Sequence, residues 1–323
     1  MSVLGIRVST HESFGRGHFN RCLEIRRFIK NRVIWFIDEC KNIPDEIPKV
    51  DKIIVEKDVK NFLEVKKYIK LNKISYLLLD SYKISDKNKV MLSNLIPTAL
   101  IEDKECNLKS DIFVCPQFFN FKNKNSRVNL IGEKYIPIKK EYFNINKGQN
   151  KKCSKLLVSM GAFDSKGISI KILKAIECIL NRNVNNIFVN VLIGNESPHI
   201  KSLELFSKKY SNILININVE NIDKFYRFSD LAIGAPGLSN MERLSAGLPS
   251  IIIAQNKYQN LLKDNLVKNG YVIGCKNSIT SMVRIISGSL NARDKLKILS
   301  KRGPKLIDGK GAKRIAESIN QVF

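Results

Sequence analysis

A glycine-bearing loop near the start of the chain holds residues suited to phosphate binding and proton transfer. Gly15, Gly17 and His18 lie between an apolar stretch at 6–8 and an amphipathic stretch at 22–29, in the order strand, loop, helix. Glycines let the backbone approach a phosphate, and the N–H groups and dipole at a helix start attract an anion. Imidazole exchanges protons near neutral pH. We therefore expect a phosphate pocket with His18 at its mouth.

A second glycine turn lies within 229–253, where a strand, a turn, a helix, a Gly-x-Pro break and another strand follow one another. Gly237, Ser239 and Asn240 are expected to open the helix with backbone N–H groups and side-chain caps, forming a second anion site. Glu242 stands one turn into that helix. Its carboxylate is expected either to accept hydrogen bonds from a ribose diol or to favour the helix start electrostatically.

Apolar runs of strand length alternate with longer amphipathic stretches, which predicts an α/β fold with doubly wound parallel sheets. Ligands of such sheets lie beyond the carboxyl ends of the strands. Asp80, Tyr82 and Asp103 follow predicted strands, so we expect them at the same sheet edge as His18. Asp80 is expected either to orient His18 or to cap the following helix, and both interpretations stay open here.

The periodic pattern weakens between 120 and 152, and a second set of strands then begins, the first of which closes at Gly161. A chain of 323 residues is long enough for two domains. We therefore predict an N-terminal domain at 1–148, which carries the histidine loop, and a C-terminal domain at 149–323.

The chain carries 55 Lys and Arg against 30 Asp and Glu, a formal charge of +25. The lysines are spread along the chain without a nucleic-acid motif, which favours a lysine-rich solvated surface; attraction of an anionic nucleotide sugar or of a membrane surface is the alternative. Nucleic acid and membrane contact are not expected. No apolar run approaches the ~20 residues of a membrane helix, so the expected location is the cytoplasm. Seven scattered cysteines and three histidines argue against a disulfide framework and a metal centre.

Several of these stretches together resemble a known family. Ile6-Arg7, the Gly-x-Gly-His-x-x-Arg-Cys-Leu loop, the 229–259 segment and the Asp308-Gly-Lys-Gly-Ala-Lys-Arg314 stretch are similar to the UDP-sugar hydrolases of pseudaminic acid biosynthesis. Those enzymes are related to the GT-B glycosyltransferases. The resemblance spans nearly the whole chain, in order, and implies a GT-B-like fold in which two Rossmann-like domains face a cleft.

The resemblance also implies an activity, in surface glycan biosynthesis such as flagellin glycosylation. It is the inverting hydrolysis of UDP-2,4-diacetamido-2,4,6-trideoxy-β-L-altropyranose, without metal or cofactor. His18 is the implied base, and Tyr82 and Asp80 are further candidate catalytic residues. Candidate substrate- and UDP-binding residues are Gly15, Gly17, Arg21, Gly161, Gly237, Ser239, Asn240, Glu242 and Gln259. Arg7 and Arg21 either serve phosphate or form structural ion pairs. A GT-B glycosyltransferase and a non-catalytic nucleotide-sugar binder are the alternative functions.

Overall fold

A computed structural model of the chain describes residues 2–10, 17–38, 44–58, 61–81, 83–116, 121–145, 153–181 and 187–323. The chain forms two compact units. Unit 1 comprises Met1–Ile138 and Lys310–Phe323, and unit 2 comprises Lys139–Gly309. The predicted division at 148/149 differs from this one in two ways. Unit 1 ends earlier, and the last helix returns to it.

Strands and helices alternate through both units. The strands are β1 Val3–Val8, β2 Arg32–Asp38, β3 Lys52–Glu56, β4 Tyr76–Asp80, β5 Thr98–Ile101, β6 Ser110–Cys115, β7 Ser126–Ile131, β8 Lys155–Ser159, β9 Phe188–Ile193, β10 Ile213–Ile217, β11 Leu231–Gly234, β12 Ser250–Ile253 and β13 Ile273–Cys275. The helices are α1 Gly17–Arg26, α2 Leu63–Lys70, α3 Asp86–Leu95, α4 Ile168–Leu180, α5 Ile200–Ser207, α6 Asp223–Phe228, α7 Leu238–Ala246, α8 Lys257–Lys268, α9 Ile279–Leu290, α10 Arg293–Leu306 and α11 Gly311–Val322.

Unit 1 is built on a seven-stranded sheet in the order β3-β2-β1-β4-β5-β6-β7, with parallel pairing throughout. Apolar side chains from α1 and α11 pack on one face of the sheet, and those of α2 and α3 pack on the other. Both faces are covered, which explains why the strands read as continuous apolar runs in the sequence. Ala312, Ile315 and Ile319 lie in the core with α1, which is why α11 belongs to unit 1.

Unit 2 repeats this plan with six parallel strands in the order β10-β9-β8-β11-β12-β13. Successive residues of β8 point to opposite faces: Leu156 and Val158 join the core under α4 and α9, and Leu157 joins the cluster under α6 and α7. The predicted fold class of doubly wound parallel sheets is therefore confirmed.

In each unit the strand order reverses direction beside the first strand, between β1 and β4 in unit 1 and between β8 and β11 in unit 2. Ligands of open parallel sheets bind outside the carboxyl ends of the strands at such a switch point. Helices α1 and α7 begin at these two edges. Helix α1 starts at Gly17, earlier than the predicted 22–29. Among the described residues, no helix combines the length and the apolar character that a membrane crossing requires.

Candidate active site

A histidine and an aspartate meet at the switch point of unit 1. Asp80 ends β4, and His18 is the second residue of α1. The imidazole Nδ1 lies 2.6 Å from Asp80 Oδ1, and the two side chains are 6% and 0% exposed. An ionised carboxylate at this distance requires a proton on Nδ1, which we assign on that ground. The lone pair of the neutral ring is then on Nε2, so Asp80 fixes the tautomer that can accept a proton there.

Arg21, one turn further along α1, binds two carboxylates at this edge. Its Nε lies 2.5 Å from Asp80 Oδ2, and its Nη2 lies 2.6 Å from Asp80 Oδ1. Its Nη1 donates to both oxygens of Asp103, at 2.7 and 2.9 Å. Asp103 follows β5, so three neighbouring elements of unit 1 meet in this network. The predicted meeting of Asp80, Asp103 and His18 at one edge is confirmed.

The electrostatics of this network keep Asp80 ionised. Burial by itself raises the pKa of Asp80, but the charges of Arg21 and His18 and their hydrogen bonds outweigh it and hold the pKa well below its ordinary range. Burial lowers the pKa of Arg21, while Asp103 and Asp80 raise it to a value well above the ordinary one. Asp80 therefore carries a negative charge at neutral pH and can stabilise an imidazolium at His18.

Two further buried ion pairs lie in the same unit as the His18–Asp80–Arg21–Asp103 network. Arg7, fully buried in β1, contacts Asp38 at 2.5 Å, which is the structural ion pair that the sequence left open. Lys89 of α3 forms a buried ion pair with Glu102, the residue before Asp103. The helix after Asp80 is capped by Ser85, whose hydroxyl accepts from a backbone N–H of α3. Asp80 thus orients His18 and does not cap α3.

In unit 2, the start of α7 combines a glycine with buried polar side chains. Gly237 is the N-cap residue, so the side-chain cap expected at this position is absent. Asn240 is fully buried, and neither polar atom of its amide has a hydrogen-bond partner among the described residues. The phenol of Tyr226 donates to Glu242 Oε2 at 2.8 Å. Burial, followed by the Glu242 charge, raises the pKa of Tyr226, so the phenol keeps its proton. Glu242 is fixed in place by this contact.

Arg243 is a buried cation at the same edge that the sequence analysis did not single out. It is fully buried, and its Nη2 donates to the carbonyl of Ala235 at 3.2 Å. Its Nε and Nη1 have no hydrogen-bond partner among the described residues. Burial lowers its pKa, against the opposing effect of Tyr226 and Glu242. The guanidinium adds positive charge behind the turn that leads into α7. Its one sequence signal is its place next to Glu242.

Gly234, at the end of β11, makes room for that guanidinium. A Cβ at this position would lie 2.6 Å from the carbonyl oxygen of Ser159 and 2.7 Å from Arg243 Nη2. We expect Gly234→Ala to lower the free energy of unfolding by about 1–3 kcal/mol, the usual cost of overpacking. Gly288→Ala, inside α9, is the control, because a Cβ there meets nothing within 4 Å and alanine suits a helix interior. Urea denaturation of both variants tests this, and equal stabilities would contradict the packing argument.

The loops after β8 and β12 hold the remaining candidates of unit 2. Gly161 has a φ of 99°, a conformation that disfavours other residues. Gln259 accepts from the backbone N–H of Gln255 at 2.8 Å, and its own N–H donates to Asn256 at 2.8 Å. These two bonds close the start of α8, so Gln259 has a structural role. Gln255, which the sequence analysis missed, donates to the carbonyl of Met160 at 2.8 Å and joins the two loops.

Two candidates, Gly15 and Tyr82, lie outside the described residues. Gly17 begins α1, and Ser239 is half-buried in the first turn of α7. Each unit therefore gathers its own set at its own sheet edge: His18 and Asp80 in unit 1, and the α7 residues in unit 2. Within the described ranges, no cluster of three or more His, Cys, Asp or Glu side chains is arranged to hold a metal ion.

Comparisons with known proteins give distant relatives. No family model matches the chain. It is 25% identical over 283 residues to an uncharacterised protein of Methanocaldococcus jannaschii, across 79% of this chain and 56% of that protein. It is 24% identical to the UDP-2,4-diacetamido-2,4,6-trideoxy-β-L-altropyranose hydrolase of Campylobacter jejuni, across 85% of this chain and 100% of the enzyme. It is 25% identical to the spore coat polysaccharide biosynthesis protein SpsG of Bacillus subtilis, across 54% of this chain and 52% of that protein. The chain thus spans about half the length of the first and third relatives.

Solved structures share the fold over the whole chain. MurG of Acinetobacter baumannii matches with a TM-score of 0.69 and 14% identity, covering 99% of both chains. The MnaA–UDP complex of S. aureus matches with a TM-score of 0.69 and 13% identity, covering 99% of this chain and 96% of that one. The two doubly wound parallel sheets and these neighbours establish a GT-B-like fold.

Proposed function

We propose that this protein is an enzyme acting on UDP-sugars, and specifically a hydrolase that releases UDP from a UDP-linked diacetamido-trideoxy sugar with inversion. The observation that carries the proposal is the buried His18–Asp80 pair, with Nδ1 and Oδ1 2.6 Å apart at the switch point of unit 1. A histidine whose Nδ1 proton is held by an ionised carboxylate is equipped to act as a general base through Nε2.

In the proposed reaction, His18 Nε2 takes a proton from water while the water oxygen bonds to the anomeric carbon. The bond from that carbon to the β-phosphate oxygen breaks, and its electron pair leaves with UDP. Attack on the face opposite the leaving group inverts the anomeric configuration. Asp80, ionised at neutral pH, stabilises the imidazolium that forms. The products are the free sugar and UDP, and the proton passes from His18 to solvent.

The α7 residues suit the leaving group. Nucleoside diphosphate departs readily when its developing charge meets fixed donors and positive dipoles. The first-turn N–H groups of α7 after Gly237, the unpartnered amide of Asn240 and the positive charge of Arg243 behind them supply such an environment. Glu242, held by Tyr226 one turn along the helix, is the proposed acceptor for hydrogen bonds from the ribose. Together these features support binding of UDP by unit 2.

The comparisons support the same class of substrate. The hydrolase of C. jejuni is matched over its whole length, and its name specifies a UDP-sugar. The structure of MnaA is a complex with UDP. SpsG, by its name, takes part in spore coat polysaccharide biosynthesis, which fits a surface glycan as the destination of the sugar.

UDP release without any acceptor tests the hydrolase proposal. We expect the full chain to release UDP from UDP-2,4-diacetamido-2,4,6-trideoxy-β-L-altropyranose, and to release it much more slowly from UDP-N-acetylglucosamine. A fold shared with the spinosyn rhamnosyltransferase SpnG makes a glycosyltransferase the second candidate. No release without an acceptor, together with release once a lipid-linked or sugar hydroxyl is added, would establish transfer and overturn hydrolysis.

The role proposed for Glu242 is tested with UDP and 2′-deoxy-UDP. We expect Glu242→Gln to weaken UDP binding by about 10- to 150-fold, because a hydrogen bond to a charged group contributes about 1.5–3 kcal/mol. Wild type should prefer UDP over the deoxy ligand, and the variant should lose most of that preference. Calorimetric Kd values measure both effects. Glu204→Gln, on the exposed side of α5, is the control. An unchanged preference in Glu242→Gln would remove the carboxylate from ribose recognition.

A further inference from the structure

The guanidinium of Arg21 faces inward, although the sequence made it a candidate for phosphate binding. Its side chain is 7% exposed. Nε and Nη2 donate to Asp80, and Nη1 donates to both oxygens of Asp103. The bidentate contact to Asp80 and the bifurcated contact of Nη1 to Asp103 fix the plane of the group. A phosphate would have to displace a buried carboxylate to reach it. The geometry therefore argues against a contact between Arg21 and a phosphate of the substrate. It pairs Arg21 instead with Asp80, the carboxylate that binds His18.

Arg21 also lies beside the base itself. Its Nη2 is 3.1 Å from His18 Nδ1, and that nitrogen donates its proton to Asp80. A cation this close opposes protonation of the imidazole, whereas the carboxylate of Asp80 favours it. Asp103 partly neutralises the cation from the other side. Cys22, whose thiol approaches Asp80 Oδ2 at 3.5 Å, is kept protonated because burial and then Asp80 raise its pKa.

We propose that Arg21 and Asp103 are positioning residues that set the pH range in which His18 can act as a base. Arg21 holds the Asp80 carboxylate in line with His18 Nδ1 and offsets part of the negative charge of Asp80. Asp103 holds Arg21 in place and reduces the effect of the Arg21 charge on the imidazole. The inference rests on the proposed function for its meaning in catalysis. The proposed coupling between these charges and His18 does not depend on substrate, so it can be tested in the free protein.

The proposal predicts shifts of opposite sign. Arg21→Met removes a positive charge next to the ring, so the pH of half-protonation of His18 should rise by about one unit or more. Asp103→Asn removes a negative charge and leaves the cation, so the same midpoint should fall by a smaller amount. Arg21→Lys keeps the charge and should leave the midpoint near that of wild type, while it loses the bidentate contacts.

NMR titration of the imidazole measures these midpoints without substrate, and the spectrum of His18→Gln assigns the signal. Arg26, in the same helix, and its partner Asp51, the residue before β3, provide the matched control. Arg26 binds Asp51 in a bidentate pair, with Nε to Oδ2 at 2.7 Å and Nη2 to Oδ1 at 2.6 Å. Arg26→Met and Asp51→Asn should leave the midpoint unchanged. The acid limb of the kcat/KM profile for UDP release should follow the NMR midpoint in each variant, because that profile reports the free enzyme.

The outcomes separate this inference from the function it serves. Opposite shifts in Arg21→Met and Asp103→Asn would support the inference even if wild type released no UDP, and only the hydrolase proposal would then fail. UDP release by wild type with no shift in either variant, or with shifts of the same sign, would overturn the inference and leave the hydrolase proposal standing. If Arg21→Met does not fold, a lower midpoint in Asp103→Asn beside an unchanged midpoint in Arg21→Lys supports the inference, and an unchanged or higher midpoint in Asp103→Asn overturns it.

Discussion

Replacing His18 with alanine is expected to lower kcat for UDP release by about 10²–10⁴-fold, the usual contribution of a general base. The side chain is almost fully buried against Asp80, and its loss removes the acceptor for the proton of the attacking water. The binding residues proposed for UDP lie in unit 2, so the Kd for UDP should stay within about twofold of wild type. Initial rates of UDP release and calorimetric titration with UDP measure the two quantities.

His199→Ala is the control for this variant. His199 is a half-buried histidine of unit 2 whose ring packs against Gly167, and it takes no part in the proposed reaction. Its removal should leave kcat close to that of wild type. A kcat in His18→Ala within about threefold of wild type would contradict the assignment of His18 as the base. A large rise in the Kd for UDP would show instead that His18 serves binding.

Asp80→Asn is expected to have the second largest effect, on both catalysis and stability. The neutral amide no longer holds the Nδ1 proton, and Arg21 Nη2, 3.1 Å from Nδ1, becomes the nearest donor to that nitrogen. The ring proton then moves to Nε2, which removes the base. We expect kcat to fall by about 10²–10⁴-fold. The loss of one partner from a buried ion pair should also lower the free energy of unfolding by about 3 kcal/mol.

The stability difference should depend on pH in a defined direction. The pKa of Asp80 in the folded protein lies below the ordinary value of about 3.9. Its contribution is therefore fully present above about pH 4 and is lost as the pH falls through the lower folded-state value. Urea denaturation of wild type and Asp80→Asn should thus give a stability difference that shrinks as the pH falls below about 4.

Asp38→Asn separates the two effects of the Asp80 variant. Asp38 ends β2, which is separated from β4 by β1, is buried to a similar degree, and is paired with Arg7. Although burial raises the pKa of Asp38, the charge of Arg7 lowers it to a value below the ordinary range. This variant should lose comparable stability and retain kcat at temperatures where it is folded. Wild-type kcat in Asp80→Asn would show that His18 needs no orienting carboxylate.

The sheet edge of unit 1 could be predicted from the sequence because its strands are buried on both faces. Continuous apolar runs marked β1 and β4, and parallel strands place their carboxyl ends together, so His18 and Asp80 were expected to be neighbours. Whether Asp80 faced the histidine or the next helix depended on where Ser85 and Arg21 lay. Those contacts are formed by the folded chain and leave no periodic signal.

Other features gave weak sequence signals for identifiable reasons. The strand β7, at the edge of its sheet, is only partly buried, so polar and apolar residues are mixed in Ser126–Ile131. It therefore gives no continuous apolar run, and the stretch that contains it was interpreted as a domain boundary. Helix α11 is amphipathic, but nothing in Gly311–Val322 specifies which sheet its apolar face covers. The burial of Arg243 depends on the space left by Gly234, a contact between residues on different elements.

Hydrolysis in water enriched in ¹⁸O tests the central claim most directly. The diacetamido-trideoxy UDP-sugar would be turned over by the full chain without acceptor, with mass spectrometry of both products and proton NMR of the first sugar anomer formed. We predict one ¹⁸O atom at the anomeric hydroxyl of the sugar, none in UDP, and an inverted anomer. Label in the phosphate of UDP would place the cleavage at phosphorus. The absence of UDP release would contradict hydrolysis of this substrate.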